Sequence, residues 1–260
     1  MRIALAQVAA YTDPDANLDL VRGYTAEAAS QGAELIVFPE ATMCSFARPR
    51  VDVAEPFDGP WATAVRAIAR EAGITVVVGM FTTTDAPQVY NTLLVAGNAE
   101  ARYDKLHLFD ALGYAESRQI RAGDRPVTFD LGEHRFGLAT CYDIRFPNLF
   151  THLARAGADA ILVPSSWAPG DEKLHQWRTL VTARAMDTTS YVVAVDQAAP
   201  PAPGAGPSPT GIGHSLAVGP TGTVLLELGD QPALAVVDLD LDAVAGVRKG
   251  LPVLQHARAL

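Results

Sequence analysis

The chain has 260 residues, a hydrophobic fraction of 49% and 20 Lys+Arg against 29 Asp+Glu, for a net charge of −9. That length can bury a large core, with one α/β domain over 1–260 as the simplest partition, and the apolar share excludes global disorder. The acidic balance argues against a nucleic-acid partner, which needs cations to neutralise phosphates.

Along the chain, Arg2 to Val8 alternates like a strand, and Asp15 to Gln31 carries Leu18, Val21, Thr25 and Ala28 near helical spacing, with Gly32 as a stop. Leu35 to Phe38 is wholly apolar, as in a strand covered on both faces. Pro60 to Ala72 sets Trp61, Ala64, Val65, Ile68, Ala69 and Ala72 on one helical stripe ended by Gly73. Strands are predicted over Ile74 to Phe81, Thr92 to Ala96, Ala101 to Asp104 and Arg135 to Thr140. A helix beginning near Pro147 buries Leu149, Phe150, Leu153 and Ala154. Ala160 to Val163 reads as strand, Leu174 to Met186 as helix and Tyr191 to Val195 as strand. Ala198 to Pro209, rich in Pro, Gly and Ala, reads as a surface loop. The last third is β-rich, with strands at His214 to Val218, Val224 to Leu228 and Ala233 to Leu239 and a helix from Leu241. Such alternation predicts β-sheets flanked by helices, and the β-rich tail predicts mixed sheets.

Two cysteines, Cys44 and Cys141, are too few for a disulfide framework and read as free thiols. Met1 to Tyr11 lacks the apolar core of a signal peptide, and nowhere do about eighteen apolar residues run on as a membrane span would require. The expectation is a cytoplasmic protein with no membrane partner. Six scattered histidines show neither H-E-x-x-H nor paired cysteines, and no phosphate-binding loop is present, so no metal and no cofactor are expected.

Three reactive side chains stand where predicted strands stop. Glu40 follows Leu35-Ile36-Val37-Phe38 and Pro39; Lys105 follows Ala101 to Asp104; Cys141 follows Phe136 to Thr140 and precedes a turn into a helix. The crevice at the carboxyl ends of strands is where α/β sheets bind ligands. A thiol is mostly protonated at neutral pH, so a nucleophilic cysteine needs a base or a cation nearby. Glu40 could take its proton and Lys105 could stabilise the thiolate or an oxyanion. Taken singly, each has an ordinary reading: a small buried hydrophobe, a helix-start carboxylate and a solvated surface charge.

The segments Phe38-Pro39-Glu40, Tyr103-Asp104-Lys105-Leu106-His107-Leu108-Phe109-Asp110 and Cys141-Tyr142-Asp143-Ile144-Arg145-Phe146-Pro147 resemble the three signatures of the nitrilase superfamily of carbon–nitrogen hydrolases. Ala115-Glu116-Ser117, Arg184-Ala185-Met186-Asp187, Gly213-His214-Ser215 and Leu251 to His256 match further segments, so the resemblance spans nearly the whole chain. Within the superfamily it is similar to the Nit branch, which includes ω-amidases and deaminated glutathione amidase. The resemblance implies a four-layer αββα sandwich, usually paired into homodimers or higher homo-oligomers. It also implies Cys141 as nucleophile, Glu40 as general base and acid, Lys105 as oxyanion-stabilising cation and Glu116 as a second glutamate holding lysine and substrate. The implied partner is a small-molecule amide, cleaved through a thioester.

Arg145 matches an arginine that contacts substrate in carboxylate-binding relatives, and an arginine fork suits a carboxylate. The alternative is an ion pair with Asp143 or another acid. Tyr142, Trp167 and Phe46 are candidate apolar walls, equally readable as core. The loop Ala111 to Ala115 is shorter than the lid of several relatives. Competing readings are an N-carbamoyl amino-acid hydrolase, an aliphatic amidase or nitrilase, and a non-catalytic scaffold that keeps the fold. Ser215 within Gly213-His214-Ser215-Leu216-Ala217 lacks the last glycine and following helix of a serine-hydrolase elbow. Cys44, the rival nucleophile, has no strand-to-helix turn to present it. His107 reads as packing beside the Lys105 segment.

Overall fold

The computed structural model describes residues 1–200 and 210–258. The Ala198 to Pro209 loop therefore lies largely outside the described residues, at 201–209. In chain order the elements are β1 (Arg2–Gln7), α1 (Pro14–Ser30), β2 (Leu35–Val37), α2 (Pro60–Ala72), β3 (Thr75–Thr82), β4 (Tyr90–Ala96), β5 (Ala101–Asp104), β6 (Asp110–Ala111), β7 (Tyr114–Ala115), β8 (Val127–Leu131), β9 (His134–Leu138), α3 (Pro147–Arg155), β10 (Ala160–Ser165), α4 (Lys173–Thr188), β11 (Tyr191–Asp196), β12 (Leu216–Val218), β13 (Val224–Glu227), β14 (Ala233–Asp238), α5 (Ala243–Gly250) and α6 (Val253–His256).

Two six-stranded sheets run in the orders β14-β1-β2-β3-β4-β5 and β13-β12-β11-β10-β9-β8. Each has three parallel strands at its centre, β1 to β3 in one and β9 to β11 in the other, with antiparallel neighbours outside them. The wholly apolar strands are sorted by the two-residue period of a pleat. Ile3, Leu5, Leu35, Val37 and Val77 of the first sheet meet Phe136, Leu138, Leu162, Val193 and Val195 of the second. Their neighbours Ala4, Ala6, Ile36, Val76 and Val78 face Val21, Trp61, Val65 and Ile68 of α1 and α2. On the far side, Ile161, Val163, Val192 and Ala194 face Phe150, Leu153, Trp177 and Val181 of α3 and α4. The layers are α, β, β, α. Each fully buried aliphatic side chain in them is worth about 1.5–3 kcal/mol.

The amphipathic α2 starts on Pro60 and ends at Gly73, whose φ of 71° is the left-handed conformation glycine supplies at a helix end. The predicted elements are found within a few residues, with β6, β7, β8 and α6 as additions. β8 was not expected, although Val127, Phe129 and Leu131 alternate with Thr128 and Asp130; at the sheet edge it sends Asp130 outward to pair with Arg135 of β9. The short α6 lies in the Leu251 to His256 segment, which was matched only as a motif. His214 lies outside β12, and α4 begins one residue before Leu174 and runs two past Met186. Among the described residues no helix is long and apolar enough to cross a membrane.

Candidate active site

The carboxyl ends of β2, β5, β9 and β10 open on one cavity of about 490 Å³. Glu40, Lys105, Cys141 and Glu116 all line it, as do Arg145, Tyr142, Trp167 and Phe46. The structure thus brings together every candidate site residue read from the sequence.

Local chain geometry carries each reactive group there. Glu40 leaves β2 on a tight turn with Ala41 at φ 58°. That turn presses on Gly79 of β3 so closely that a Cβ would lie 2.8 Å from Pro39 O and 2.6 Å from Ala41 N, so any larger residue would push the carboxylate away. Lys105 continues β5, with its N–H donating to Asn91 O at 2.9 Å. Cys141 has φ 46° and opens a 3-10 turn, Cys141–Arg145. A non-glycine residue in that region costs about 1–3 kcal/mol and persists only where its surroundings impose it.

Asp143 imposes it. Fully buried, its carboxylate accepts from Thr140 N at 2.8 Å, Tyr103 Oη at 2.6 Å and His107 N at 3.0 Å, and lies 2.7 Å from His107 Nδ1. These bonds tie the Cys141 turn to the strand that presents Lys105. Burial, then the charge of Asp143, push the Tyr103 hydroxyl well above the usual tyrosine range, so it stays a donor. Asp143 is therefore not the partner of Arg145, the alternative raised from the sequence. Arg145 instead donates to Gln176 Oε1 at 2.6 Å and lies over the Trp167 ring, 5.0 Å from its centroid.

Lys105 Nζ donates to Glu40 Oε1 at 2.9 Å and to Glu116 Oε1 and Oε2 at 3.1 and 2.9 Å. Asn91 Nδ2 donates to the same two carboxylates at 2.7 and 3.3 Å. Phe109 N donates to Glu116 Oε2 at 2.7 Å, and Ser166 N to Glu40 Oε2 at 2.9 Å. The carbonyl of Ser166 accepts from Cys141 Sγ at 3.7 Å, so one residue touches both the carboxylate and the thiol. Burial would depress the Lys105 ammonium, but Glu116 and Glu40 outweigh it and hold its pKa well above the ordinary value. Burial raises Glu40 despite the opposing pull of Lys105. Burial and then the Glu40 charge push the Cys141 thiol well above its usual range, with Lys105 opposing. The thiol rests protonated beside a carboxylate that can take its proton.

Several residues of this site carried no sequence signal. Asn91 and Ser166 enter through strand register and backbone, and Lys173 and Tyr114 enter through the folding of loops. Tyr114 belongs to a minimal hairpin, β6–β7, that turns at Leu112-Gly113, and its hydroxyl accepts from buried Arg50 at 2.6 Å. Cys44 is buried against Phe46 and Phe81 and donates to Thr12 O at 3.4 Å. Ser215 is buried, donates to Gln7 Oε1 at 2.7 Å and leads into β12, with no helix after it. His107 stacks on Phe146, with ring centroids 3.7 Å apart.

With this geometry in hand, the chain was compared with known proteins. A model of the carbon-nitrogen hydrolase family matches residues 2–249. A hydrolase of Mycobacterium tuberculosis is 52% identical over 98% of this chain and 95% of its own length. The deaminated glutathione amidase of Escherichia coli O157:H7 is 32% identical over 99% of this chain and 97% of its own. A CN-hydrolase superfamily protein of Xanthomonas campestris, solved with an arsenic adduct in its active site, superposes with a TM-score of 0.87 at 26% identity, covering 100% and 98% of the two chains.

Proposed function

The chain belongs to the carbon–nitrogen hydrolase family, and from that premise we propose that it hydrolyses a small carboxylate-bearing amide to an acid and ammonia through a thioester on Cys141. The observation that carries this reading is the Ser166 bridge: its N–H holds Glu40 while its carbonyl accepts from the Cys141 thiol. Base and nucleophile are thereby held against one backbone unit.

In this mechanism Cys141 Sγ attacks the amide carbon as Glu40 removes its proton. Burial and the Glu40 charge raise the thiol pKa, so the attacking sulfur depends on Glu40 to take its proton. Lys105 Nζ and the N–H of Tyr142 stabilise the oxyanion, one such donor being worth roughly 3–4 kcal/mol. As the C–N bond breaks, protonated Glu40 passes its proton to the nitrogen, and ammonia departs. Water then attacks the thioester carbonyl while Glu40 takes a proton from it, the C–S bond breaks to release the acid, and Glu40 returns that proton to the departing sulfur. Glu116 holds Lys105 against the field of Glu40 and touches no reacting atom. Arg145 is the cation for a substrate carboxylate, and Phe46, Tyr142 and Trp167 are its apolar walls.

The chemistry implied by the name of the Escherichia coli relative, an amidase of a carboxylate-bearing amide, supports this substrate class. The proposal takes residues 1–260 as one domain, paired as a homodimer in the cytoplasm. Light scattering on the purified chain tests the pairing. An ammonia-release screen across ω-amides of dicarboxylic acids, deaminated glutathione, neutral aliphatic amides and N-carbamoyl amino acids tests the chemistry. Carboxylate-bearing amides are expected to lead, and Cys141→Ala should lower turnover by at least about 10⁴-fold with an unchanged melting curve. Carbon dioxide appearing with the ammonia would instead identify the carbamoyl reaction. Undiminished turnover by Cys141→Ala would remove the mechanism.

A further inference from the structure

We propose that Lys173 is a specificity-determining residue of the cavity, forming with Arg145 a two-cation seat for the free carboxylate of a short dicarboxylic-acid monoamide. The inference rests on the amidase reading above and extends it to a residue that no sequence signal singled out.

The placement of Lys173 is the reason. Its Nζ lies 5.2 Å from the centroid of the Trp167 ring and 5.7 Å from that of Phe109, while the Arg145 guanidinium lies 5.0 Å from the same indole. Two like charges thus share one aromatic platform on the cavity wall. Among the described residues, neither forms an ion pair with a carboxylate, and the hydrogen-bond partner of Arg145 is the neutral amide of Gln176. The acids next to Lys173 in sequence, Asp171 and Glu172, leave it unpaired too. Other arginines of the chain do find acids, as Arg121 finds Asp85 and Arg135 finds Asp130.

The position is also unfavourable within its own helix. Lys173 is the first residue of α4, where exposed N–H groups already make the helix end positive. Burial, and then the charge of Arg145, lower its pKa from the ordinary value. Nothing in the packing of α4 requires an ammonium there, because Trp167 Nε1 donates to the backbone carbonyl of Lys173, at 3.0 Å. An entering carboxylate would relieve each of these costs. Lys173, Arg145 and Cys141 line the same cavity, so the proposed carboxylate and the scissile amide belong to one short molecule.

The experiment compares wild type, Lys173→Met and Lys173→Arg. Turnover of glutaramate and succinamate is measured against that of butyramide, a neutral amide of similar length, and glutarate binding is measured by calorimetry. The methionine variant keeps the backbone acceptor for Trp167. It should raise KM for the two acidic amides by about tenfold or more while leaving KM for butyramide unchanged. Glutarate affinity should fall in parallel, and Lys173→Arg should recover most of both losses. Equal KM changes for acidic and neutral amides would reduce Lys173 to a structural role, and unaltered glutarate binding would remove the seat. If wild type turned over no amide yet bound glutarate in a Lys173-dependent way, the seat would stand and the amidase reading would fall.

Discussion

At the floor of the cavity Lys105 lies between Glu40 and Glu116, and the three side chains, all at least 96% buried, satisfy one another together with Asn91, Ser166 and Phe109. On the wall, Arg145 and Lys173 crowd one indole with no acid between them. The floor takes charges out of water, which is costly, whereas the wall only half-buries its two cations. The floor offsets that cost internally, so it is preorganised and needs nothing from a ligand. The wall leaves its own smaller cost unbalanced, so it holds affinity in reserve for an anion. On the proposed mechanism, the groups that would act on every substrate are held fixed, and those that would choose among substrates are left wanting a partner.

The largest effect should come from breaking the floor. Lys105→Met leaves two buried carboxylates side by side with no cation, and breaking a buried pair in this way costs about 3–5 kcal/mol of stability. Chemical denaturation should show that loss, with activity abolished as well. The sign with pH follows from the raised pKa of Lys105. Its stabilisation is complete below its unfolded pKa of about 10.4 and is lost as the pH rises through the higher folded value. The gap between wild type and variant should accordingly close in strong alkali, and it should also narrow on acidification, as the variant's two buried carboxylates take up protons. A variant as stable as wild type would mean that the floor is not the compensated network described here.

The contrast between floor and wall also divides what was legible in the sequence. Glu40, Lys105 and Cys141 could be read because each follows a predicted strand, and strand ends point their successors to a common edge. The apolar runs showed that β2, β3 and β10 are covered on both faces, whereas the four-layer arrangement was implied by the family resemblance alone. Asp143 was visible only as an alternative partner for Arg145: its actual partners Tyr103 and His107 come from the opposite sheet's chain segment, and no spacing encodes that meeting. Asn91 acts through the register of β4 on β5, which places it beside Lys105. Lys173 lies just before the predicted helix with no pattern to mark it, and only the approach of α4 to the Cys141 turn puts it against Arg145. Local pattern reveals which strands end in chemistry, whereas specificity depends on which loops those ends meet.

A smaller effect is expected on the wall. Arg145→Lys keeps the charge but loses the planar fork that stacks on Trp167 and bonds Gln176. KM for carboxylate-bearing amides should rise roughly tenfold, with KM for neutral amides and kcat nearly unchanged. Steady-state kinetics on glutaramate and butyramide would check this. A fall in kcat with both would place Arg145 in the machinery of the floor instead, and the division between the two regions would fail.

The finest test concerns Asn91, which joins the floor without carrying charge. Its hydrogen bond to Glu40 Oε1 favours the ionised carboxylate and so holds down a pKa that burial raises. Glu40 must be ionised to take the thiol proton, so kcat/KM falls as acid protonates it. Replacing Asn91 with leucine removes the bond, raises the pKa of Glu40 further and should move the acid limb of the kcat/KM profile to higher pH, while the neutral plateau changes little. A residue that only fills space would lower the plateau and leave the limb in place. Because Glu40 and Glu116 share Lys105, the limb reports the pair rather than one group. Glu116→Gln provides the control: with one negative charge removed from beside Glu40, the limb should move the other way, toward lower pH.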